Sequence, residues 1–371
     1  NHTTDMPWSN VRVFENTSND WGAGVGINGW MNGDDAVITG LEIFNNINTG
    51  WGGASGLDIN SNGNGTLTLS NLIIRNNLSM NDEYGAVRVS SGPNKGVIFE
   101  NSLIVDNQGG YGSGLAVMNS ADVSLVNSTV YRNTSRTGYT GNYPNSSIYI
   151  RENSELNLYN SILGGQTGYN IVFDQSNTSW GGADCDVNIQ SSLIQGGISS
   201  TSILTTPGVT GQVTAADMLV EPVYLKNPGQ GDYGLAIMSA AIGSADTNLT
   251  WLNPGSVNNP VYLTMPLQDL YGQNRPNPAG TNSDLGAIES DLGTAQFGVA
   301  FEVTSNPACN PSAAQIKATA KHPNGGPYKY SWISLDGNTV NNPNSQLTSG
   351  DYTISNLYAG WYKLTVQKYV G

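Results

Sequence analysis

The sequence predicts an all-β protein, with a right-handed parallel β-helix followed by a small immunoglobulin-like β-sandwich. Three observations support this fold class. A strand–turn–strand motif recurs every 26 to 33 residues, short strands of alternating apolar residues lie between its copies, and 11% of residues are charged while 46 of 371 are glycine. Short strands cannot bury an apolar face alone, but stacked coils share one continuous core. The length also predicts more than one domain.

The repeated motif consists of an apolar strand, a small residue at a turn, a second apolar strand and a final polar residue. Each interval holds one more strand, such as Leu57 to Ile59 or Val87 to Val89, so the coil is predicted to have three strands. Coils stack about 4.8 Å apart, and parallel crossovers are almost always right-handed. We expect the coils to occupy residues 1–197. The turn residues are Asn10, Gly40, Asn71, Asn101 and Asn127, followed in two weaker copies by Asn160 and Ser191.

The five strong copies of the motif end in asparagine, at Asn16, Asn46, Asn77, Asn107 and Asn133. A side-chain amide both donates and accepts hydrogen bonds, and asparagine tolerates a left-handed turn conformation. Stacked copies are therefore predicted to form a hydrogen-bonded ladder along the axis. Asn77-Leu-Ser and Asn133-Thr-Ser also read as glycosylation sites, but the ladder is the favoured interpretation.

Residues 198–292 are predicted to form an irregular segment that closes the β-helix. It contains five distinctive stretches, Met218 to Pro222, Gly231 to Leu235, Ser239 to Gly243, Asp269 to Pro276 and Asp284 to Glu289. These stretches resemble the end of secreted bacterial right-handed β-helix proteins with a pectate-lyase-like fold, and the resemblance covers roughly residues 10 to 291. Ala240 and Ile288 depart from it, because that family usually has proline and an aromatic residue there. The resemblance implies an architecture and not an activity, since the family is functionally mixed.

Residues 296–371 carry five strand patterns separated by Gly, Pro and Asn turns, which is typical of a small β-sandwich. The stretches Gly325 to Trp332 and Leu357 to Tyr362, with Cys309, resemble the repeat module of gliding-motility adhesins (SprB-type repeats). That resemblance implies a Bacteroidota-like surface or secreted protein exported by the type IX route. Within it, Tyr330 and Trp332 are predicted to be core residues and not a ligand platform.

The composition excludes several kinds of function. A net charge of −14 argues against a nucleic-acid partner, because phosphate neutralisation requires a surface rich in Lys and Arg. The sequence has no run of 18 or more apolar residues that could span a bilayer. The two histidines, His2 and His322, do not supply a histidine triad or a multi-histidine metal site. Two cysteines, Cys185 and Cys309, exclude a disulfide framework. Idle thiols are favoured for them, and a bridge between them is the alternative.

Catalytic chemistry is sought on the outward residues of the stack that contains Leu57 to Ile59, because β-helix enzymes of the resembled kind bind acidic polysaccharide along one sheet. Asp58 and Arg88 are predicted neighbours on adjacent coils. A base beside a cation could serve a polysaccharide lyase. A surface ion pair worth at most about 1 kcal/mol is the favoured alternative. The two outward columns of this stack contain no carboxylate pair spaced for glycoside hydrolysis.

Three further residues could contact a ligand without carrying chemistry. Tyr149 and Arg151 lie on the same stack, and Trp51 lies in a Gly/Asn-rich turn, where its ring could stack on a sugar. No cofactor is predicted. Close acidic pairs such as Asp34-Asp35 could hold Ca²⁺ through oxygen ligands, although solvated turn acids are the favoured interpretation.

The leading hypothesis is a non-enzymatic extracellular protein, a surface adhesin whose β-helix is a stalk or a carbohydrate-binding surface. The alternative is a polysaccharide lyase or glycoside hydrolase acting on an acidic or plant/algal-type glycan. A third hypothesis is one segment of a larger surface assembly with no ligand of its own. We expect a location outside the cell or at its surface, with extracellular polysaccharide or other surface components as partners. Because only half a coil precedes the first motif, we also expect a longer parent polypeptide.

Overall fold

The protein, seen in a computed structural model, forms two compact units. Unit 1 comprises Asn1–Val223 and Ala241–Gly293, and unit 2 comprises Tyr224–Ala240 and Thr294–Gly371. The described residues contain no α-helix, and therefore no helix that is long and apolar enough to cross a membrane. The structure describes residues 10–19, 22–28, 35–50, 52–61, 65–80, 84–91, 96–139, 145–174, 185–199, 202–205, 213–247, 251–252, 262–305, 314–322, 325–338, 340 and 351–368.

Unit 1 is a parallel β-helix, as predicted, and its coils stack in register to form four parallel sheets. We number these sheets 1 to 4 in the order in which a coil visits them. Sheet 1 contains Val25–Asn28, Leu57–Ser61, Val87–Ser91, Leu115–Met118, Ser146–Arg151, Tyr169–Asp174 and Ile203–Thr205. Sheet 2 contains Ala36–Thr39, Leu67–Ser70, Gly96–Glu100, Asp122–Val126, Glu155–Tyr159, Asp186–Gln190 and Val213–Ala216.

Sheets 3 and 4 lie on either side of the ladder asparagines. The prediction of three strands per coil is wrong, because a two-residue strand follows the ladder position in the first five coils. Two residues are too few to show an alternating pattern in the sequence. Sheet 3 contains Val11–Phe14, Leu41–Phe44, Ile73–Arg75, Leu103–Val105, Thr129–Tyr131, Ile162–Gly164 and Leu193–Ile194. Sheet 4 contains Thr17–Ser18, Ile47–Asn48, Leu78–Ser79, Gln108–Gly109 and Thr134–Ser135.

The core of unit 1 runs along the axis of the β-helix. Inward residues of sheets 1 to 3 form one continuous apolar cluster, in which Leu57, Leu69 and Ile74 have no exposed surface. Burying each such side chain contributes about 1.5 to 3 kcal/mol. Because the short strands of a single coil cannot bury these residues, the stacking of neighbouring coils is what removes them from water.

Left-handed residues make two corners of each coil. One corner joins sheets 2 and 3 at the repeated turn residue, as in Asn71 and Asn101, with φ of 57° and 46°. The second corner joins sheets 3 and 4, and its left-handed residue is the one before the ladder asparagine, such as Asn45 or Asp106. The ladder asparagines themselves are not among the left-handed residues. Their amides are freed to bond along the axis.

Asparagines of the sheet 2–sheet 3 corner bond the closing segment to the coils of unit 1. Asn101 Nδ2 donates to the Gln268 carbonyl oxygen at 2.7 Å, and Asn160 Nδ2 donates to that of Asp246 at 3.0 Å. The segment also contains the antiparallel pair Trp251–Leu252 and Tyr262–Leu263.

Unit 2 is a small β-sandwich of antiparallel sheets. Tyr328, Tyr330 and Trp332 alternate inward and are at most 2% exposed, so the prediction that Tyr330 and Trp332 belong to the core is confirmed. Tyr224–Ala240, expected in the closing segment, groups with unit 2 instead. One sheet contains Gly298–Ser305, Ala314–Lys321 and Asp351–Leu357, the other contains Tyr328–Ser334 and Tyr362–Lys368, and a hairpin pairs Leu225–Asn227 with Asp232–Leu235 around the 3₁₀ turn Pro228–Gln230.

Candidate functional site

The outward face of sheet 1 carries two columns of side chains. The structure gives them the register that the sequence predicted, with Asp58 paired to Arg88 and Asn60 paired to Ser90 on the adjacent coil. The first column consists of Gly26, Asp58, Arg88, Ala116, Tyr149 and Val172, and the second begins with Asn28, Asn60, Ser90 and Met118.

Asp58 and Arg88 form an ion pair within the first column. Arg88 Nη2 and Nε both donate to Asp58 Oδ1, at 2.7 Å and 3.2 Å. The second carboxylate oxygen, Oδ2, accepts from the Ala54 backbone N–H at 3.2 Å, and Arg88 Nη1 donates to the Gly52 carbonyl oxygen. Each oxygen of Asp58 therefore has a donor supplied by the protein itself.

The Asp58–Arg88 pair is buried, with side-chain exposures of 4% and 5%. The expectation of a surface ion pair is therefore wrong. Taking two charges out of water is costly, and partners on both sides must compensate for the loss of hydration. A lyase base must reach a proton on its substrate within hydrogen-bonding distance. Asp58 already accepts from Arg88 and Ala54, and this geometry favours a structural role for the pair.

Aromatic side chains cover the middle of sheet 1. Tyr84 lies with its ring 5.5 Å from the Arg88 guanidinium carbon, and Tyr111 packs between Tyr84 and Tyr149 with centroid distances of 5.7 Å and 4.4 Å. Gly112 permits the close approach, since its φ is 64° and a Cβ there would lie 2.7 Å from that of Tyr149. A second apolar cluster therefore lies outside the β-helix core.

The two predicted sugar contacts on sheet 1, Tyr149 and Arg151, have other surroundings than expected. Tyr149 has no exposed surface, so a ligand on the sheet would not touch it. Arg151 Nη2 donates to Tyr84 Oη at 2.9 Å, and Arg151 Nε lies 3.3 Å from Glu152 Oε1. Arg151 thus helps to hold the aromatic cover in place. The expectation that this part of the sheet faces solvent is wrong.

A polar groove remains open at the first two coils of sheet 1. It has a volume of about 280 Å³ and is lined by Gly26, Asn28, Asp58 and Asn60. Asn28 and Asn60 are exposed, whereas Asp58 forms a buried wall. Gly26 projects no side chain into the groove, which leaves the amides room to bond a ligand. Side-chain amides offer both donors and acceptors, the chemistry that sugar hydroxyl groups require.

The five ladder asparagines stack one above another at the corner between sheets 3 and 4. Asn46 Nδ2 donates to Asn77 Oδ1 at 3.0 Å, and Asn77 Nδ2 donates to Asn107 Oδ1 at 3.0 Å. The same oxygens also accept from the backbone N–H of the preceding asparagine. Asn16 and Asn133 form the two ends of the series. The amides of Asn77 and Asn133 are buried within these bonds, as a structural role requires.

Sequence reasoning missed an acidic column on the outward face of sheet 2. Asp122, Glu155 and Asp186 occupy the same position on three successive coils. Burial raises the pKa of Glu155, and the charge of Asp186 raises it further. Asn188 Nδ2 donates to Glu155 Oε1 at 2.7 Å. Neighbouring coils lie about 4.8 Å apart, which brings these carboxylates close together. The period-two alternation of the strands in sheet 2 could have revealed the column from the sequence.

Several predicted residues lie outside the described residues. They include Trp51, Asp34 and Cys309. Cys185 carries a free, buried thiol, and burial raises its pKa to about 11. Among the described residues, no three His, Cys, Asp or Glu side chains are grouped to hold a metal ion.

The comparisons of this chain with protein families, curated proteins and solved structures gave no match. The function is therefore inferred from the fold and from the geometry of the groove. The site is a β-helix surface with amide groups open to ligand, beside an ion pair and an aromatic cover that are closed to it.

Proposed function

We propose that this protein is a non-catalytic extracellular protein that binds carbohydrate in the polar groove of sheet 1 and acts as a surface adhesin. The contrast within that groove carries the proposal. Asp58 and Arg88 bond each other and the backbone, while the amides of Asn28 and Asn60 are exposed along the wall. The Asp58 carboxylate, which could abstract a proton, already accepts hydrogen bonds from the protein. The Asn28 and Asn60 amides, which could bond sugar hydroxyl groups, are exposed.

The low charge and amide lining of the groove favour a neutral sugar unit. Asn28 and Asn60 can each donate to and accept from vicinal hydroxyl groups. An acidic unit would bring a second carboxylate close to Asp58. Because Arg88 already pairs with Asp58, its charge would not also compensate that of the ligand. A groove of about 280 Å³ accommodates one or two sugar rings.

The location of the protein is a second part of the proposal. The SprB-type resemblance of residues 296–371 supports a Bacteroidota-like surface protein exported by the type IX route. Immunolabelling of intact cells that express the gene would detect such a protein at the surface. Labelling that requires permeabilised cells would contradict this location.

A glycan-array screen of the full chain, followed by a product assay on each glycan that binds, tests the function. We expect binding without product formation, and Asn60→Ala should weaken it roughly tenfold through the loss of a bidentate amide contact. Asn282→Ala is the matched control, because Asn282 is an exposed asparagine of the closing segment. Unsaturated products from a polyuronate that disappear in a folded Arg88→Lys variant would establish a lyase instead.

A glycoside hydrolase is the second candidate function, and the acidic column on sheet 2 favours it. Two carboxylates about 5 Å apart suit a retaining mechanism, in which one with a raised pKa acts as the acid. Glu155 has a raised pKa and a carboxylate on either side in the column. Reducing ends released from a glycan by the wild type, but not by Glu155→Gln, would support this function against the first.

A further inference from the structure

We propose that unit 2 holds a separate binding surface for a linear anionic polysaccharide, on the outward face of its two-stranded sheet. The inference does not rest on the groove of unit 1. Its starting observation is Trp361, which is 76% exposed although tryptophan is among the more buried residue types on average. Trp361 lies directly before the strand Tyr362–Lys368 and alternates outward with Lys363.

The register of the two strands places the outward residues in four rows. The Leu335 N–H donates to the Trp361 carbonyl oxygen at 2.8 Å, which sets the first row. Successive rows on one face of a sheet are about 7 Å apart, so four rows span about 20 Å. A face of that length suits an extended linear ligand. The rows are Leu335 with Trp361, Ile333 with Lys363, Ser331 with Thr365, and Lys329 with Gln367.

The chemistry changes along the four rows. Leu335, Ile333 and Trp361 are 61%, 51% and 76% exposed and form an apolar end. A shallow cleft of about 220 Å³ follows, lined by Lys329, Ser331, Thr365 and Gln367. An indole face stacks on the apolar face of a sugar ring, and the hydroxyl and amide groups of the cleft can bond ring hydroxyls.

Two lysines identify the charge of the ligand. Lys329 and Lys363 are exposed on this face, and none of its eight residues is acidic, although the chain as a whole has a net charge of −14. A local cationic face on an acidic protein favours an anionic partner over a neutral one. The nearest carboxylate at the apolar end is that of Asp336, which accepts from the Trp361 backbone N–H. The acidic groups of the ligand should therefore lie toward Lys329.

A protein partner would fit the apolar end but not the rest of the face. Stable protein interfaces have an apolar centre and a polar rim, whereas here the apolar residues lie at one end of a narrow polar strip. Uronate or sulfate groups along a sugar chain match this arrangement, because each ring offers both an apolar face and a charged edge.

Affinity electrophoresis and calorimetry with the full chain test the surface, using alginate and dextran sulfate as anionic probes and dextran as the neutral probe. We expect an anionic probe to bind at least roughly tenfold more tightly than dextran, with an affinity that falls as salt is added. Trp361→Ala should weaken binding roughly tenfold. The double variant Lys329→Ala/Lys363→Ala should both weaken binding and flatten the salt dependence.

Matched variants on the other sheet of unit 2 separate a site from general attraction. Phe301→Ala removes an aromatic side chain that is 59% exposed. Lys317→Ala/Lys321→Ala removes two positive charges, as many as the Lys329→Ala/Lys363→Ala variant does. Both should bind as the wild type does. The proposal is overturned if these controls lose as much affinity as the test variants, or if neither anionic probe binds better than dextran. Asn60→Ala should leave this binding unchanged, so failure here is distinguishable from failure of the groove in unit 1.

Discussion

Arg88 Nη2 lies 2.7 Å from Asp58 Oδ1, and this contact joins two adjacent coils on the outward face of the β-helix. The pair is buried beneath the ring of Tyr84, while Arg88 Nη1 donates to the Gly52 carbonyl oxygen and Asp58 Oδ2 accepts from the Ala54 N–H. In a polysaccharide-binding cleft this part of the sheet would be open to the polymer, whereas here Tyr84 covers it. The pair therefore sets the boundary between the open groove and the aromatic cover.

Removing one member of this pair should be more costly than removing both. We expect Arg88→Met to lower the free energy of unfolding by about 3 to 5 kcal/mol, because it leaves the Asp58 carboxylate buried without its counter-charge. The double variant Asp58→Leu/Arg88→Met should recover most of this loss. Urea unfolding followed by circular dichroism measures both.

An ion pair whose arginine is exposed provides the control for this experiment. Arg12 Nε lies 2.8 Å from Glu42 Oε2, with side-chain exposures of 68% and 17%. Arg12→Met should change the free energy of unfolding by about 1 kcal/mol or less. Equal losses from Arg12→Met and Arg88→Met would show that burial of the Asp58 pair has no energetic consequence.

The coil and its register could be predicted from sequence because stacking imposes one spacing on chemically similar residues. Asn46 and Asn77 occupy equivalent corners, so their separation of 31 residues records the length of the coil. The same reasoning placed Asp58 beside Arg88. Where residues recur because equivalent positions of the coils stack, their spacing predicts which side chains are neighbours.

The cover of sheet 1 could not be predicted in this way. Tyr84 and Tyr111 come from segments between strands, whose lengths and compositions do not repeat, and periodicity therefore gives no sign of where they pack. Alternation showed that Tyr149 points outward, but outward from the β-helix core is not the same as exposed to water. The acidic column containing Glu155 was missed for a different reason, since its alternation was readable but lay on another sheet.

The ladder should be most sensitive at its centre. Asn77 Oδ1 accepts from Asn46 N and Nδ2, and Asn77 Nδ2 donates to Asn107 Oδ1 and to the Ile43 carbonyl oxygen. Asn77→Ala should destabilise unit 1 by about 2 to 5 kcal/mol, because several buried groups lose their partners at about 1 to 3 kcal/mol each. Thermal unfolding of the variant measures this loss.

The end of the ladder supplies the comparison. Asn16 donates to Asn46 Oδ1 through both N and Nδ2, and it lies at an exposed position. Asn16→Ala should cost about 1 kcal/mol, because water can replace its bonds. A loss from Asn16→Ala as large as that from Asn77→Ala would contradict the burial argument.

Cys185 should resist alkylation in the native protein. Its side chain has no exposed surface, and burial raises its pKa to about 11, so both access and the reactive thiolate are lacking. We expect iodoacetamide at mildly alkaline pH to leave this residue unmodified until guanidinium is added. Peptide mass spectrometry reads the modification at Cys185 separately from Cys309. Rapid labelling of Cys185 in the native protein would disprove the expectation.

The closing segment should make stability depend on pH through Glu289. Its carboxylate is buried 2.7 Å from Arg275 Nη1, and neither side chain has exposed surface. Burial raises the pKa of Glu289 from 4.5 to about 7, with the charge of Arg275 opposing the shift and that of Asp284 adding to it. Between these two values the folded protein holds a proton that the unfolded chain releases.

The sign of the effect follows from this difference in bound protons. The free energy of unfolding falls as pH rises wherever the native state binds more protons than the unfolded state. The contribution of Glu289 is thus fully present below about pH 4.5 and is lost as pH rises through about 7. Glu289→Gln removes the titration, so the difference in stability between wild type and variant should change across this range. Urea unfolding at several pH values measures it, with Glu302→Gln, at an exposed position of unit 2, as the control. Parallel curves for wild type and Glu289→Gln would mean that the carboxylate titrates alike in both states, and that Arg275 offsets its burial in full.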